Sequence, residues 1–380
     1  MHSLPPIHLV RGMTVTLLGI AVLTFVLGTA WDVQWHVSVG RDKVLTAPHV
    51  AMLAGIALAG LVSLAHVLYE SRRRPHDTPR GTLVVGPFRS PPGVMLAGVG
   101  ALLAALAFPL DDYWHVLYGI DVTLFAPFHV MIVTGVMTVA VGASHTLASA
   151  HHHHPHPRTG VAFTVTLALA AATLYLLIPD AAYDHGLVRV GSYDFALYPV
   201  AIALTVPAFV LTATRVTRLP FAGTLFAAAL LLVKLAMDAT VPWLVETVRT
   251  AEGLAYRPTA PDIVVSAAYL PAFVLVTAIV VDLAALRGTR PHALAALAVA
   301  AVTAQALLER AWMNPGSLPA LHPDADMTAL LVRALPLLPI AAAASAAWSD
   351  VVVRSYGPPR ALKAPVRNTV AQGSAEGGRA

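Results

Sequence analysis

Residues 31–49 read WDVQWHVSVGRDKVLTAPH, and they separate one long apolar segment from the next. Residues 111–129, DDYWHVLYGIDVTLFAPFH, do the same a second time. An apolar run on each side of a short polar tip is the pattern of a helical hairpin whose arms cross a bilayer, each arm needing roughly 20 residues. Outward from these two tips, ten apolar stretches can be marked, at about 12–34, 47–70, 92–114, 123–147, 160–179, 194–214, 219–240, 263–286, 291–312 and 326–350. The expected fold is all-α: a polytopic membrane helical bundle of about ten transmembrane helices arranged as repeated hairpins, the first two being clear copies.

Composition points the same way. Hydrophobic residues make up 57% of the 380, and charged residues only 12%, where a soluble domain carries about 25%. Cysteine is absent, which excludes disulfides, thiolate metal sites and cysteine nucleophiles together. Any metal must therefore be held by nitrogen and oxygen. A net charge of +4, with its cations at segment boundaries, gives no sign of nucleic-acid binding. The first apolar segment lacks an obvious small-residue cleavage site and is expected to stay as a helix.

Sixteen of the 24 basic residues fall on alternate connections or near the two ends, among them Arg11, Arg72, Arg89, Arg158, Arg215, Arg218, Arg287, Arg290 and Arg354. The positive-inside rule makes that side cytoplasmic. Both termini are then inside, and both tips lie toward the outer face of a bacterial-type plasma membrane. Residues 1–150 form a metal-binding four-helix region, residues 151–357 a six-helix region with no assigned role, and residues 358–380 a polar tail expected to be disordered.

The tips carry the chemistry. Asp32 and His36 lie four apart, on one face of a helix, and so do Asp111 and His115. Pro48 and Pro127 suit the first turn of the returning helix, which sets His49 and His129 opposite the first two ligands. One carboxylate and two imidazoles from two adjacent helices form a metal ligand set with open positions, as a catalytic site requires. Copper, Fe(II) and Zn(II) all accept these ligands. Asp42, Asp121 and Asp112 are candidates for a second layer that orients the imidazoles.

Other polar residues carry weaker signals. His66 and His145 recur near the cytoplasmic ends of the second and fourth stretches and read as interfacial polar groups, with haem ligation as the alternative. The run from His151 to His154 with His156 reads as a cytoplasmic loop, either a linker or a metal buffer. Lys234 and Asp238, four apart in the seventh stretch, read as an ion pair locking helix packing or as a functional pair, and Arg333 is a further intramembrane charge. Asp180, Asp184, His185 and Pro199 form a faint third copy of the motif without its last histidine. Gly55, Gly60, Gly135 and Gly142 fit close helix packing.

The segments D-x-x-W-H…R-D…T-x-P-H and D-x-x-x-H…L-F-A-P-F-H resemble the C subunit of the copper membrane monooxygenases, the family of particulate methane, ammonia and hydrocarbon monooxygenases. The resemblance covers about residues 32–145. It implies a copper site at Asp32, His36 and His49, which would be the catalytic set. It implies a second site at Asp111, His115 and His129, where the family has Asn in place of Asp111. It further implies O2-dependent hydroxylation of a small apolar substrate or ammonia, with A- and B-type partner subunits or self-association in the lipid membrane. Two other readings compete: a copper or divalent-metal transporter or chaperone, and a structural membrane subunit that retains metal sites.

Overall fold

Proline opens many of the helices and glycine or proline closes several of them. The computed structural model describes residues 7–40, 45–72, 81–119, 126–177, 187–313 and 327–356. Within these, the helices are α1 Ile7–Ser38, α2 Ala47–Ser71, α3 Pro92–Tyr118, α4 Pro127–His153, α5 Pro157–Tyr175, α6 Leu197–Thr217, α7 Ala222–Ala251, α8 Val265–Ala268, α9 Val274–Leu286, α10 Pro291–Met313, α11 Met327–Ala334 and α12 Leu337–Ser355. Pro48, Pro92, Pro127, Pro157 and Pro291 each stand in a first turn, where the missing N–H has no intrahelical partner to lose.

Among the described residues, α1 to α7 and α12 are long and apolar enough to cross a membrane. The chain is a multi-pass membrane protein, and helix dominates it as expected. The count differs: eight such helices are found, where ten stretches were marked. The eighth stretch, 263–286, breaks into α8 and α9 around Pro271, because proline donates no hydrogen bond and disfavours helical geometry at the residue before it. Pro336 divides the tenth stretch into α11 and α12 in the same way.

Two short antiparallel hairpins also depart from the all-helical expectation. Leu83–Val85 pairs with Phe88–Ser90 (β1 and β2), and Leu187–Val190 with Tyr193–Ala196 (β3 and β4). Gly86 and Gly191 take positive φ in the two-residue turns, the geometry that hairpin loops favour. Arg189 and Asp194 pair across the second hairpin at 2.8 Å, and the guanidinium holds the carboxyl below the usual carboxylate range.

The closest helix packing is between α3 and α4. Gly93 meets Gly142, and Gly100 meets Gly135. Seven residues separate the glycines on each helix, so they share one face, and the reversed order makes the pair antiparallel. A Cβ added at Gly135 would lie 2.6 Å from the Gly100 carbonyl and 2.7 Å from Ala104 N. On α2, a Cβ at Gly55 would lie 2.7 Å from the Ala21 carbonyl of α1. Lipid offers apolar groups no hydrophobic drive to associate, so close backbone approach at small residues is what holds such helices together.

Helix α1 is central. Leu18, Phe25 and Trp35 are almost wholly buried, and the helix packs on α2, α4, α5 and α7. It therefore links the first two hairpins to the later helices. At its opposite end from the tip, Arg11 donates to Glu70 through Nε (2.8 Å) and Nη2 (3.1 Å), and His66 Nε2 lies 2.9 Å from Glu70 Oε1. An ionised Glu70 accepts from Nε2–H, which leaves His66 Nδ1 to accept from the Thr14 hydroxyl at 2.7 Å. His66 is thus a buried bridge between α1 and α2, where an interfacial residue was expected.

Candidate metal centre

The last turns of α1 carry Asp32 and His36, with His36 Nε2 3.6 Å from Asp32 Oδ1. Beyond the tip, the Thr46 side chain caps α2 by accepting from His49 N, which locks His49 into the first turn. His49 Nε2 then lies 3.2 Å from the same Asp32 oxygen. The two imidazole centroids are 6.4 Å apart. On α3 and α4, His115 Nε2 is 3.5 Å and His129 Nε2 3.0 Å from Asp111 Oδ2, with ring centroids 5.4 Å apart. The structure thus brings together all six residues picked from the sequence, in two groups of three.

The donor atoms fit an ion. Two ligands about 2.1 Å from a metal are about 3.0 Å apart at a right angle and about 3.4 Å at the tetrahedral angle. The four carboxylate–imidazole separations, 3.0–3.6 Å, match that range. In each group all three donors lie within 4.8 Å of one another. Hydrogen bonding alone leaves the second carboxylate incompletely satisfied: both imidazoles approach Asp111 Oδ2, and the buried Oδ1 accepts no hydrogen bond. A buried carboxylate oxygen without a donor is expensive, and a cation removes that penalty.

Aromatic side chains surround the donors. Phe108 of α3 presents its edge or face to His49 at 5.6 Å, so the second hairpin walls the first cluster. Trp114 packs on Tyr118 at 4.2 Å and on Phe128 at 5.8 Å beside the second. Pro109 sits inside α3, just before Asp111. Proline inside a helix frees a carbonyl one turn earlier.

Of the expected second layer, Asp42 and Asp121 lie outside the described residues. Asp112 is exposed on α3 and joins no cluster among the described residues, because its neighbour Asp111 takes the inward face. Two residues that the sequence did not flag are Gln34 and Arg257. Gln34 Oε1 accepts from Val265 N at 3.0 Å. Arg257 donates from its backbone N to the Ser38 carbonyl at 2.7 Å and from Nη2 to the Gly40 carbonyl at 3.2 Å. They tie the end of α1, just beyond the first cluster, to the segment between α7 and α8. The one sequence signal was Gly40, whose φ of 75° and lack of a Cβ leave room for the Arg257 guanidinium.

The other polar residues do not form a third cluster among the described residues. Lys234 Nζ pairs with Asp238 Oδ2 at 2.8 Å along α7, as an i,i+4 pair. His151 to His153 belong to α4 and not to a loop. His151 is buried, within 3.0 Å of Thr159 Oγ1 and of the Thr217 carbonyl. His145 packs near Tyr356, which follows α12 and stacks edge-on to Phe163. Burial pushes the Tyr356 phenol up to about 12. Asp180, Asp184 and His185 lie outside the described residues. No family model, curated protein or solved structure matches this chain.

Proposed function

We propose that the chain is a membrane subunit holding two metal ions, one on Asp32, His36 and His49 and one on Asp111, His115 and His129. The observation that carries this reading is the convergence of one carboxylate and two imidazoles at the tips of two hairpins, with ligand separations suited to a first-row ion. The contact of Gly55 with Ala21 and that of Gly135 with Gly100 fall at matching places below the tips, which supports reading the hairpins as copies. The cation distribution supports an outer-face position for both clusters.

Copper is the ion we favour, through the resemblance of both motifs to the C subunit of the copper membrane monooxygenases. When bound, copper supplies a one-electron couple able to reduce O2. The protein's part is geometry. Asp32 supplies one negative charge against the ion, and His36 and His49 supply neutral nitrogen donors from two helices. Phe108 packs against His49 and walls one side of the first cluster. Hydroxylation of a small apolar substrate or ammonia by O2 places one oxygen atom in the product and releases the other as water. It draws two electrons and two protons from a donor, for which the reading requires A- and B-type partner subunits.

Metal analysis and electron paramagnetic resonance on the detergent-purified chain test the proposal, with His36→Ala and His115→Ala beside it. The expected result is close to two copper equivalents with nitrogen hyperfine coupling, falling by about one in each variant. Zinc in place of copper would remove the oxygenase reading and leave transport or a structural role. Metal content unaffected by either substitution would remove the sites themselves.

A further inference from the structure

At one end of the bundle, a cleft of about 520 Å³ opens between the α6–α7 turn, the end of α9, the start of α10 and the last turns of α12. Its lining combines Arg215 and Arg218 with the apolar side chains of Leu219, Phe221, Leu286 and Leu294. Arg287 follows Leu286, Arg290 precedes Pro291 of the lining, and Arg354 follows Val353 of the lining. Five arginines thus line or adjoin the cleft, against two carboxylates, Asp282 and Asp350.

Both carboxylates are already engaged. Asp282, almost wholly buried, caps the start of α7: it accepts from Gly223 N (3.1 Å), Thr224 N (2.6 Å) and Thr224 Oγ1 (2.8 Å), and from Thr214 Oγ1 (3.3 Å). Asp350 pairs with Arg215, whose other contacts run to Ser349 Oγ and the Pro291 carbonyl. Arg215 Nε is buried and donates to nothing. The guanidinium groups of Arg218, Arg287, Arg290 and Arg354 have no hydrogen-bond or ion-pair partner among the described residues. Arg218 therefore stands uncompensated in an apolar-walled cleft, with three more unpaired cations next to lining residues in sequence. The turn reverses through two non-glycine residues in the left-handed region, Arg218 (φ 52°) closing α6 and Phe221 (φ 58°) opening α7.

We propose that this cleft binds the phosphate-bearing headgroup of an anionic membrane phospholipid. The arginines take the phosphate, for which a guanidinium is well matched, and Phe221, Leu286 and Leu219 take the start of the acyl chains. A free phosphate would use the cations and leave the apolar wall idle. A zwitterionic lipid would use the wall but bring its own cation against the arginines. Basic clefts between membrane helices on the cytoplasmic side are suited to anionic lipid, and these arginines are on the side that the charge distribution makes cytoplasmic. The proposal is independent of the metal clusters.

Native mass spectrometry of the full chain, released from detergent with equimolar phosphatidylglycerol and phosphatidylcholine, tests it. The wild type should retain phosphatidylglycerol in preference, and R218Q/R290Q should reduce that preference on the order of tenfold. R218K/R290K, which keeps both charges, should retain most of it. Millimolar inorganic phosphate should not displace the lipid. An unchanged preference in R218Q/R290Q would overturn the proposal, as would equal loss in the lysine pair, which would show that the charge at these positions does not select the lipid. Displacement by inorganic phosphate alone would identify the cleft as a simple anion site and overturn the lipid assignment.

Discussion

Gly135→Ala is the smallest change that separates the packing argument from the metal argument. The new methyl would sit 2.6 Å from the Gly100 carbonyl oxygen, 2.7 Å from Ala104 N and 2.9 Å from Ala104 Cβ, and two of these atoms are backbone. No rotamer change relieves it, so α3 and α4 must move apart. Restoring an ordinary contact of about 3.5 Å requires about 1 Å of separation. Overpacking of this kind costs about 1–3 kcal/mol, offset by about 1 kcal/mol of helix propensity on replacing glycine by alanine. A net loss of about 0–2 kcal/mol is expected.

The site responds unevenly to the same movement. Asp111 and His115 share α3, so their 3.5 Å separation is unaffected, whereas the 3.0 Å from Asp111 to His129 spans the two helices. Opening that gap by about 1 Å exceeds the tolerance of about 0.2 Å on a metal–ligand bond. The second cluster should lose at least about tenfold in affinity, since even changes beyond the ligands cost 10–100-fold, roughly. The first cluster should hold its metal. Copper titration of the purified chain, with thermal unfolding alongside, reads both effects. Gly60→Ala is the control, because its nearest neighbour would be Ala101 Cβ at 3.7 Å. A gain in stability in Gly135→Ala matching that of Gly60→Ala would refute the packing. Lower stability with wild-type binding of both ions would refute the second cluster as a metal site.

Asp111→Asn should keep metal at the second cluster with weaker affinity, because Asn still presents an oxygen but no charge; complete loss in a metal titration would argue against the family analogy. Arg11→Met should destabilise the chain by on the order of 3 kcal/mol, because it strips the cation from the buried Glu70 carboxylate; an unchanged unfolding temperature would show that the pair does not hold α1 to α2. Arg257→Ala should speed amide exchange at Val265 and around Ser38 without changing metal stoichiometry, and unaltered exchange would remove its role as a clasp. Hairpin β3–β4 should loosen as acid protonates Asp194. Its carboxyl is held below the ordinary range, so the stabilisation is present above that range and is lost as pH falls through the lowered value. Backbone chemical shifts of Arg189 and Asp194 that do not move together in acid would contradict this.

The site was legible because its signals are local. Asp32 with His36 and Asp111 with His115 are set by helical periodicity, and Pro48 and Pro127 fix where the returning helices begin. The long helices were legible through sheer apolar length. What the sequence concealed depends on distant partners. His66 looked interfacial because nothing near it in sequence reveals that Thr14 reaches it across the hairpin, or that Arg11 reaches its partner Glu70. His151 looked like loop because its partners, Thr159 and Thr217, belong to other segments. The breaks at Pro271 and Pro336 were readable in principle, but their flanks are apolar enough for a hydropathy window to bridge them. Gln34 and Arg257 carry no motif at all.

These distant contacts make the two clusters unequal, although their ligands match. The end of α1 is fastened by Arg257 and Gln34 to the segment between α7 and α8, and Phe108 closes on His49. The end of α3 has no such cover among the described residues: Tyr113, Val116 and Tyr118 around the second cluster are exposed. The ligand side chains themselves are equally exposed, 14–22% in the first cluster and 13–21% in the second, so the clasp bears on how firmly the first cluster is held and not on its access to water. A cluster ringed by exposed aromatic and aliphatic residues suits contact with another subunit or with lipid. On the proposed reading, the first cluster is therefore the more firmly held and the second the one a partner would approach. The ordering is checkable: a membrane-impermeant chelator should strip the His129 cluster before the His49 cluster, and simultaneous loss would mean the contacts of Arg257 and Phe108 confer no protection.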